Sequence, residues 1–185
     1  IPMIQGFFGR GSADTVKARL QPDNKIALIL AMNVLAHTGE VNEFLDEATA
    51  LMDSETVLVS QSHWLAALTR KFEFDTIYHE HLRYYTLTSL MNLLERHGLT
   101  VKDAEITDFY GGSVLAFASK SGSGQSASMK AILANEAEAD VVQSLREMNR
   151  VLLTNRAELL NLLVDIRKSG KRVVGVGAPM KASTL

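Results

Sequence analysis

The chain contains no cysteine, and only three of its 185 residues are proline. With no cysteine there is no disulfide, no thiolate zinc site and no cysteine nucleophile within it. Charge of either sign is scarce in excess: 19 Lys and Arg stand against 21 Asp and Glu, a formal net charge of −2. No strong field therefore draws the molecule onto nucleic acid or an anionic membrane, and neither is expected as a partner. No apolar run approaches the roughly 20 residues that span a bilayer, and no signal peptide is visible. A cytoplasmic location follows by default. What is present is ordinary for a globular protein: 46% hydrophobic and 22% charged residues, enough chain for one full domain or two partial ones. The first residue is Ile1 and the chain stops just after Lys181. It reads as an internal piece of a longer protein.

The pattern along the chain is α/β. Ile1 to Phe8 reads as a strand or a strand exit, and Ser12 to Leu20 as one helix. Ile26 to Met32 (IALILAM) is apolar without alternation, which predicts a strand covered on both faces. Val41 to Met52 has helical spacing, and Thr56 to Ser60 (TVLVS) reads as a second buried strand. Strand, helix, strand in this order is one crossover unit. Trp64 to Phe72 and Leu87 to His97 read as helices, the second stopped by Gly98. Thr100 to Glu105 and Ser113 to Ser119 read as strands joined by a Tyr110-Gly111-Gly112 turn. Ser119 to Ser128, rich in Ser and Gly, reads as a loop. Met129 to Lys168 has almost no Gly or Pro and makes one long helix or two. Leu152, Leu159, Leu160, Leu163 and Ile166 mark a face expected to pack within the chain or against a second copy. Val173 to Val176 reads as a further strand.

Four places carry chemistry. The densest is Phe74-Asp75-Thr76-Ile77-Tyr78-His79-Glu80-His81, with His63 shortly before it. Histidine moves protons near neutral pH. Tyr78 and His81 share a face if the segment is helical, and Tyr78 and Glu80 if it is extended. Adjacent His and Glu diverge, which argues against a metal site at His79-Glu80-His81. Asn33 and His37 follow a buried strand, where ligands of open α/β sheets bind. Gly111-Gly112-Ser113 either lets backbone approach a ligand or simply turns. Val174-Gly175-Val176-Gly177-Ala178-Pro179-Met180-Lys181 suits phosphate at a helix N-terminus, or is a close turn.

Taken in order, Asn33-Val34-Leu35-Ala36-His37, Phe74 to His81, Gly111-Gly112-Ser113 and Gly175-x-Gly177-Ala178-Pro179-x-Lys181 resemble the S-adenosylmethionine-dependent C-methyltransferases of deoxysugar biosynthesis. These methylate a nucleotide-linked 4-keto sugar. The resemblance implies the later half of a Rossmann-like methyltransferase domain over residues 1–86. It implies long helices and the start of a second Rossmann-like domain over 87–185. Zinc would belong only to an N-terminal domain outside this chain, and no metal is expected within it. The resemblance also implies that His81 is the general base, that Glu80 orients it, and that Tyr78 and His37 serve the keto or enolate oxygen. Asn33, Phe7 and Phe8 would line the cofactor pocket. Gly112, Ser113 and Lys181 would contact the nucleotide-linked sugar. The chain departs from the family pattern at Gly6, at Gln61-Ser62-His63-Trp64, at Tyr110, at Val114-Leu115-Ala116 and at Ala182-Ser183. Most of these lie toward the substrate. Competing expectations are a nucleotide-sugar-binding protein without transfer and an O-methyltransferase on the same scaffold.

Overall fold

The computed structural model describes residues 3–122, 124–177 and 184. The expected crossover unit is present. Strand β1 (Leu28–Met32) runs parallel to β2 (Val57–His63), with Leu30 opposite Val59, and helix α2 (Val41–Ala50) lies between them in the chain. Helix α1 (Ser12–Lys17) precedes the unit; α3 (Leu65–Arg70) and α4 (Leu87–Glu95) follow it. Strand β3 (Thr100–Thr107) then turns into β4 (Ser113–Ser119). β4 inserts antiparallel between β2 and β3, giving the order β1-β2-β4-β3. β3 therefore points the same way as β1 and β2. The sheet begun before residue 86 is completed after it.

The apolar spacing read from the sequence becomes the core. Phe44, Leu45 and Ala48 of α2, and Leu90, Leu93 and Leu94 of α4, pack with Leu58, Val101, Val114 and Ala116 of the sheet. Gly98 stops α4 at φ 72°, a left-handed conformation that costs glycine little. The break in the long helical stretch falls at Ala139 and Asp140, giving α5 (Ala127–Glu138) and α6 (Val141–Lys168). The Asp140 side chain caps the second helix by accepting from the Gln143 N–H at 2.9 Å. No helix among the described residues is long and apolar enough to cross a membrane.

Three expectations need correction and a fourth needs narrowing. β1 is not covered on both faces: Leu28, Leu30 and Met32 are exposed while Ala31 is buried. Side chains alternate across a strand, and no described element packs over the face that carries these three. The face expected on α6 is only partly covered by the chain itself: Met148 is buried, Leu152, Leu163 and Ile166 are half-buried, and Leu159 and Leu160 are exposed. At about 1.5 Å per residue, 28 helical residues reach well beyond the contact that α6 makes with α3. Val173 to Val176 pairs with no strand among the described residues, and its valines are exposed. Residues 3–8 likewise form no strand.

Candidate functional site

Three segments meet at the carboxyl ends of β1 and β2. The first leaves β1 at Asn33, whose φ of 52° turns the chain sharply while its N–H bonds the Gln61 carbonyl at 2.9 Å. Asparagine tolerates this left-handed conformation better than most residues. The turn closes through His37 N–H on the Val34 carbonyl at 3.0 Å. Asn33 Nδ2 donates to His37 Nε2 at 3.2 Å, so the proton of a neutral His37 sits on Nδ1. The second segment is β2 itself, which runs three residues beyond the expected Ser60 and ends at buried His63, opposite Ser113.

The third is the aromatic loop. One 3₁₀ turn at Phe74–Thr76 is followed by a tight turn from Tyr78 to His81, closed by His81 N–H on the Tyr78 carbonyl at 3.0 Å. The loop is stapled to the turn after β1. Leu82 N–H donates to the Ala36 carbonyl at 2.9 Å, and the Arg83 guanidinium donates to the carbonyls of Thr38 and Gly39. Those staples bring residues far apart in the chain into one ring cluster. His81 is its hub: its ring centroid lies 4.5 Å from Tyr78, 4.7 Å from His37, 4.8 Å from His63 and 6.1 Å from Tyr84.

The hub has a defined tautomer. His81 Nδ1 donates to the Thr76 carbonyl at 2.6 Å, which leaves Nε2 as the basic nitrogen. The same carbonyl accepts from the Tyr84 hydroxyl at 3.2 Å. Burial first, and the neighbouring Tyr78 second, push the Tyr84 phenol above the ordinary tyrosine value, so it remains a neutral donor. Beside the cluster lies a cleft of about 620 Å³ whose lining includes Phe7, Phe8, Asn33, Val34, His37 and Thr38. Phe8 is fixed by the Phe44 ring at 4.9 Å. Asn33 Oδ1 is buried and accepts no bond among the described residues.

Residues 9–104 match the methyltransferase domain, and residues 108–185 match the C-methyltransferase C-terminal domain. The chain belongs to the methyltransferase family. It is similar to the C-methyltransferase NovU of Streptomyces niveus, at 32% identity over 162 residues, 85% of this chain and 39% of that protein. The chain thus spans about two-fifths of that relative's length. Among solved structures it is similar to LepI in complex with SAM, with a TM-score of 0.43 and 15% identity over 54% of this chain and 27% of that one. It is also similar to the magnesium protoporphyrin IX methyltransferase ChlM of Synechocystis PCC 6803 with bound SAH, with a TM-score of 0.41 and 18% identity over 56% of this chain and 48% of that one.

In this methyltransferase chain, His37, Tyr78 and His81 come together, and Phe7, Phe8 and Asn33 share the adjoining cleft with His37. Glu80 is half-buried in the same loop, and the bond that fixes the His81 ring comes from the Thr76 carbonyl. Ser113 is fully buried. Its hydroxyl donates to the Phe109 carbonyl and accepts from Gln61 Nε2, each at 2.8 Å, so it ties strands together beneath the site. Gly112 is also structural in its bonds: its N–H donates to the Phe109 carbonyl and its carbonyl accepts from Trp64 N–H. Lys181 lies outside the described residues. Among the described residues no group of three or more His, Asp or Glu is placed to hold a metal ion. Sequence reasoning set His63 beside the densest cluster and Tyr110 among the departures toward the substrate without giving either a role, and passed over Tyr84. A further signal for His63 was its place just beyond the apolar run Thr56 to Ser60, on the strand that continues past it.

Proposed function

We propose that this chain supplies the proton-transfer centre and part of the cofactor pocket of an S-adenosylmethionine-dependent C-methyltransferase, acting on a nucleotide-linked 4-keto deoxysugar. The observation that carries the reading is His81, held by Nδ1 on the Thr76 carbonyl and ringed by His37, His63 and Tyr78. The similarity to NovU, a C-methyltransferase, supports it. On the same reading, residues 1–86 form the late methyltransferase part and 87–185 the start of the C-terminal part.

The residues of the cleft fit the cofactor. Phe7 and Phe8 offer aromatic faces to an adenine, and the buried Asn33 Oδ1 is an acceptor in want of a donor. Bound there, S-adenosylmethionine supplies the electrophilic methyl group. The chain's own task is to make the substrate carbon nucleophilic. His81 Nε2 takes the proton from the carbon beside the ketone. The Thr76 carbonyl keeps the ring oriented and favours the imidazolium that results. The Tyr78 hydroxyl and His37 Nδ1–H are the donors for the developing enolate oxygen. Glu80, in the same loop, adds a carboxylate that favours the charged imidazole.

The test uses the full-length protein and a panel of nucleotide-linked 4-keto sugars in heavy water, read by mass spectrometry. Deuterium uptake at the carbon beside the ketone without cofactor, and a methyl gain with it, is the expected result. His81→Ala lowers uptake by about 10²–10⁴-fold. Wild-type uptake in His81→Ala removes the base assignment. Methylation of oxygen, or binding without uptake, replaces the reading by one of its competitors.

A further inference from the structure

Tyr110 occupies a backbone conformation that a bulky side chain adopts only when its surroundings impose it: φ is 52° and ψ 41°. The surroundings are fully specified. Gly112 N–H and the Ser113 hydroxyl both donate to the Phe109 carbonyl, at 3.1 and 2.8 Å. Gln61 Nε2 donates to the Ser113 hydroxyl at 2.8 Å, Trp64 N–H to the Gly112 carbonyl at 3.0 Å, and Lys71 Nζ to the Gly111 carbonyl. Gly111 and Gly112, which follow it, also hold positive φ.

This effort does not bury the ring, which stays 64% exposed. It sets the ring edge-on to His63, with centroids 5.7 Å apart and planes at 88°. His63 is in turn edge-on to His81, at 4.8 Å and 74°. A strained, tied and exposed aromatic side chain, one ring removed from the base, gains nothing for the core. Such strain gathers where a ligand is met.

We infer that Tyr110 is a substrate-contacting residue that selects among ketone substrates, and that His63 is the positioning residue that holds it. The inference rests on the reading above. Its ligand is a pyranose bearing a hydroxyl on a carbon adjacent to the reacting one. The Tyr110 phenol gives or takes a hydrogen bond with that hydroxyl, and the His63 edge fixes the phenol's direction.

The experiment compares two nucleotide-linked 4-keto sugars that differ only in that hydroxyl, with the full-length protein and S-adenosylmethionine. Wild type favours the hydroxylated sugar by about tenfold in kcat/KM, the size of one net hydrogen bond. Tyr110→Phe removes the preference, chiefly by raising KM for the hydroxylated sugar. His63→Phe keeps the ring edge and keeps the preference; His63→Ala loses it. A preference untouched by Tyr110→Phe and Tyr110→Ala overturns the inference, as does an equal loss on both sugars. Deuterium uptake run alongside separates the two levels. If wild type exchanges neither sugar, the C-methylation reading falls and calorimetric binding of the same pair decides for Tyr110. A difference in affinity abolished by Tyr110→Phe then sustains it. Equal affinities, or no binding, end it.

Discussion

β2 carries Ser60, Gln61, Ser62 and His63, yet every one of them is buried; β1 is apolar from Leu28 to Met32, yet three of its five side chains are exposed. Hydropathy alone would rank them the other way. The difference is position: β2 is flanked by β1 and β4, whereas β1 has a described neighbour on one side only. Burial follows from what surrounds a strand. A central strand can therefore hold polar groups beneath a site: Gln61 is bonded to Ser113, while the Ser60 and Ser62 hydroxyls are buried without a partner among the described residues.

The largest expected contrast tests this directly. Leu58→Ala, at a fully buried β2 position, costs about 2–5 kcal/mol through lost burial and a residual cavity. Leu30→Ala, 60% exposed on β1, changes stability by about 0.5 kcal/mol or less. Urea unfolding of the full-length protein measures both. A similar cost at the two positions would mean that the exposed β1 face is covered in the full-length protein.

The helices α2 and α4 were legible because their apolar residues recur every three or four positions, and Gly98 marks a stop. The β3–β4 hairpin was legible from two strand-like runs around Tyr110-Gly111-Gly112. The His37, Tyr78 and His81 grouping came from local motifs and a resemblance. What joined them in space is Arg83 on the carbonyls of Thr38 and Gly39, a contact without a local pattern. The place of His63 on β2 stayed hidden because the strand continues through Gln61, Ser62 and His63, polar residues that end an apolar run on paper. Their pairing with Val114, Ser113 and Leu115 across β4 extends the strand. The leucines of α6 mark a face that the chain itself covers only in part. Helical spacing shows which residues share a face, and cannot show whether anything lies against it.

Glu136 sharpens the comparison at an intermediate scale. Its buried carboxylate, reaching from α5, accepts from Trp64 Nε1 at 2.7 Å, from Leu87 N–H at 2.5 Å, and from the Thr88 N–H and hydroxyl at 3.0 and 2.7 Å. A negative charge at the start of α4 is favourable there, and the same group fixes the residue that directly follows β2. Glu136→Gln keeps the shape but loses the charge and one acceptor oxygen, at a cost of roughly 1–3 kcal/mol. The loss appears in urea unfolding together with greater mobility of the Trp64 indole N–H by NMR. An unchanged indole signal would show that packing alone holds Trp64.

The β1 side is tied by a half-buried carboxylate instead, and its expected effect is the smallest. Glu47 on α2 accepts from Ala13 N–H at 2.7 Å and Gly11 N–H at 3.0 Å at the start of α1, the segment that follows Phe7 and Phe8. These backbone donors, Ala13 first, hold its carboxyl below the ordinary glutamate value of 4.5. A carboxyl whose folded value is depressed adds stability above the unfolded value and loses it as pH falls through the folded one. The α1–α2 joint is thus fully held at neutral pH and loosens only below about pH 4.5, with salt weakening the effect. Amide exchange at Gly11 and Ala13 in the full-length protein reads it. Protection falls on acidification there while the amides of β2 keep theirs, and Glu47→Gln starts at the lower level and shows little pH dependence. Equal loss of protection in β2 would mean that the two sides of the sheet open as one unit.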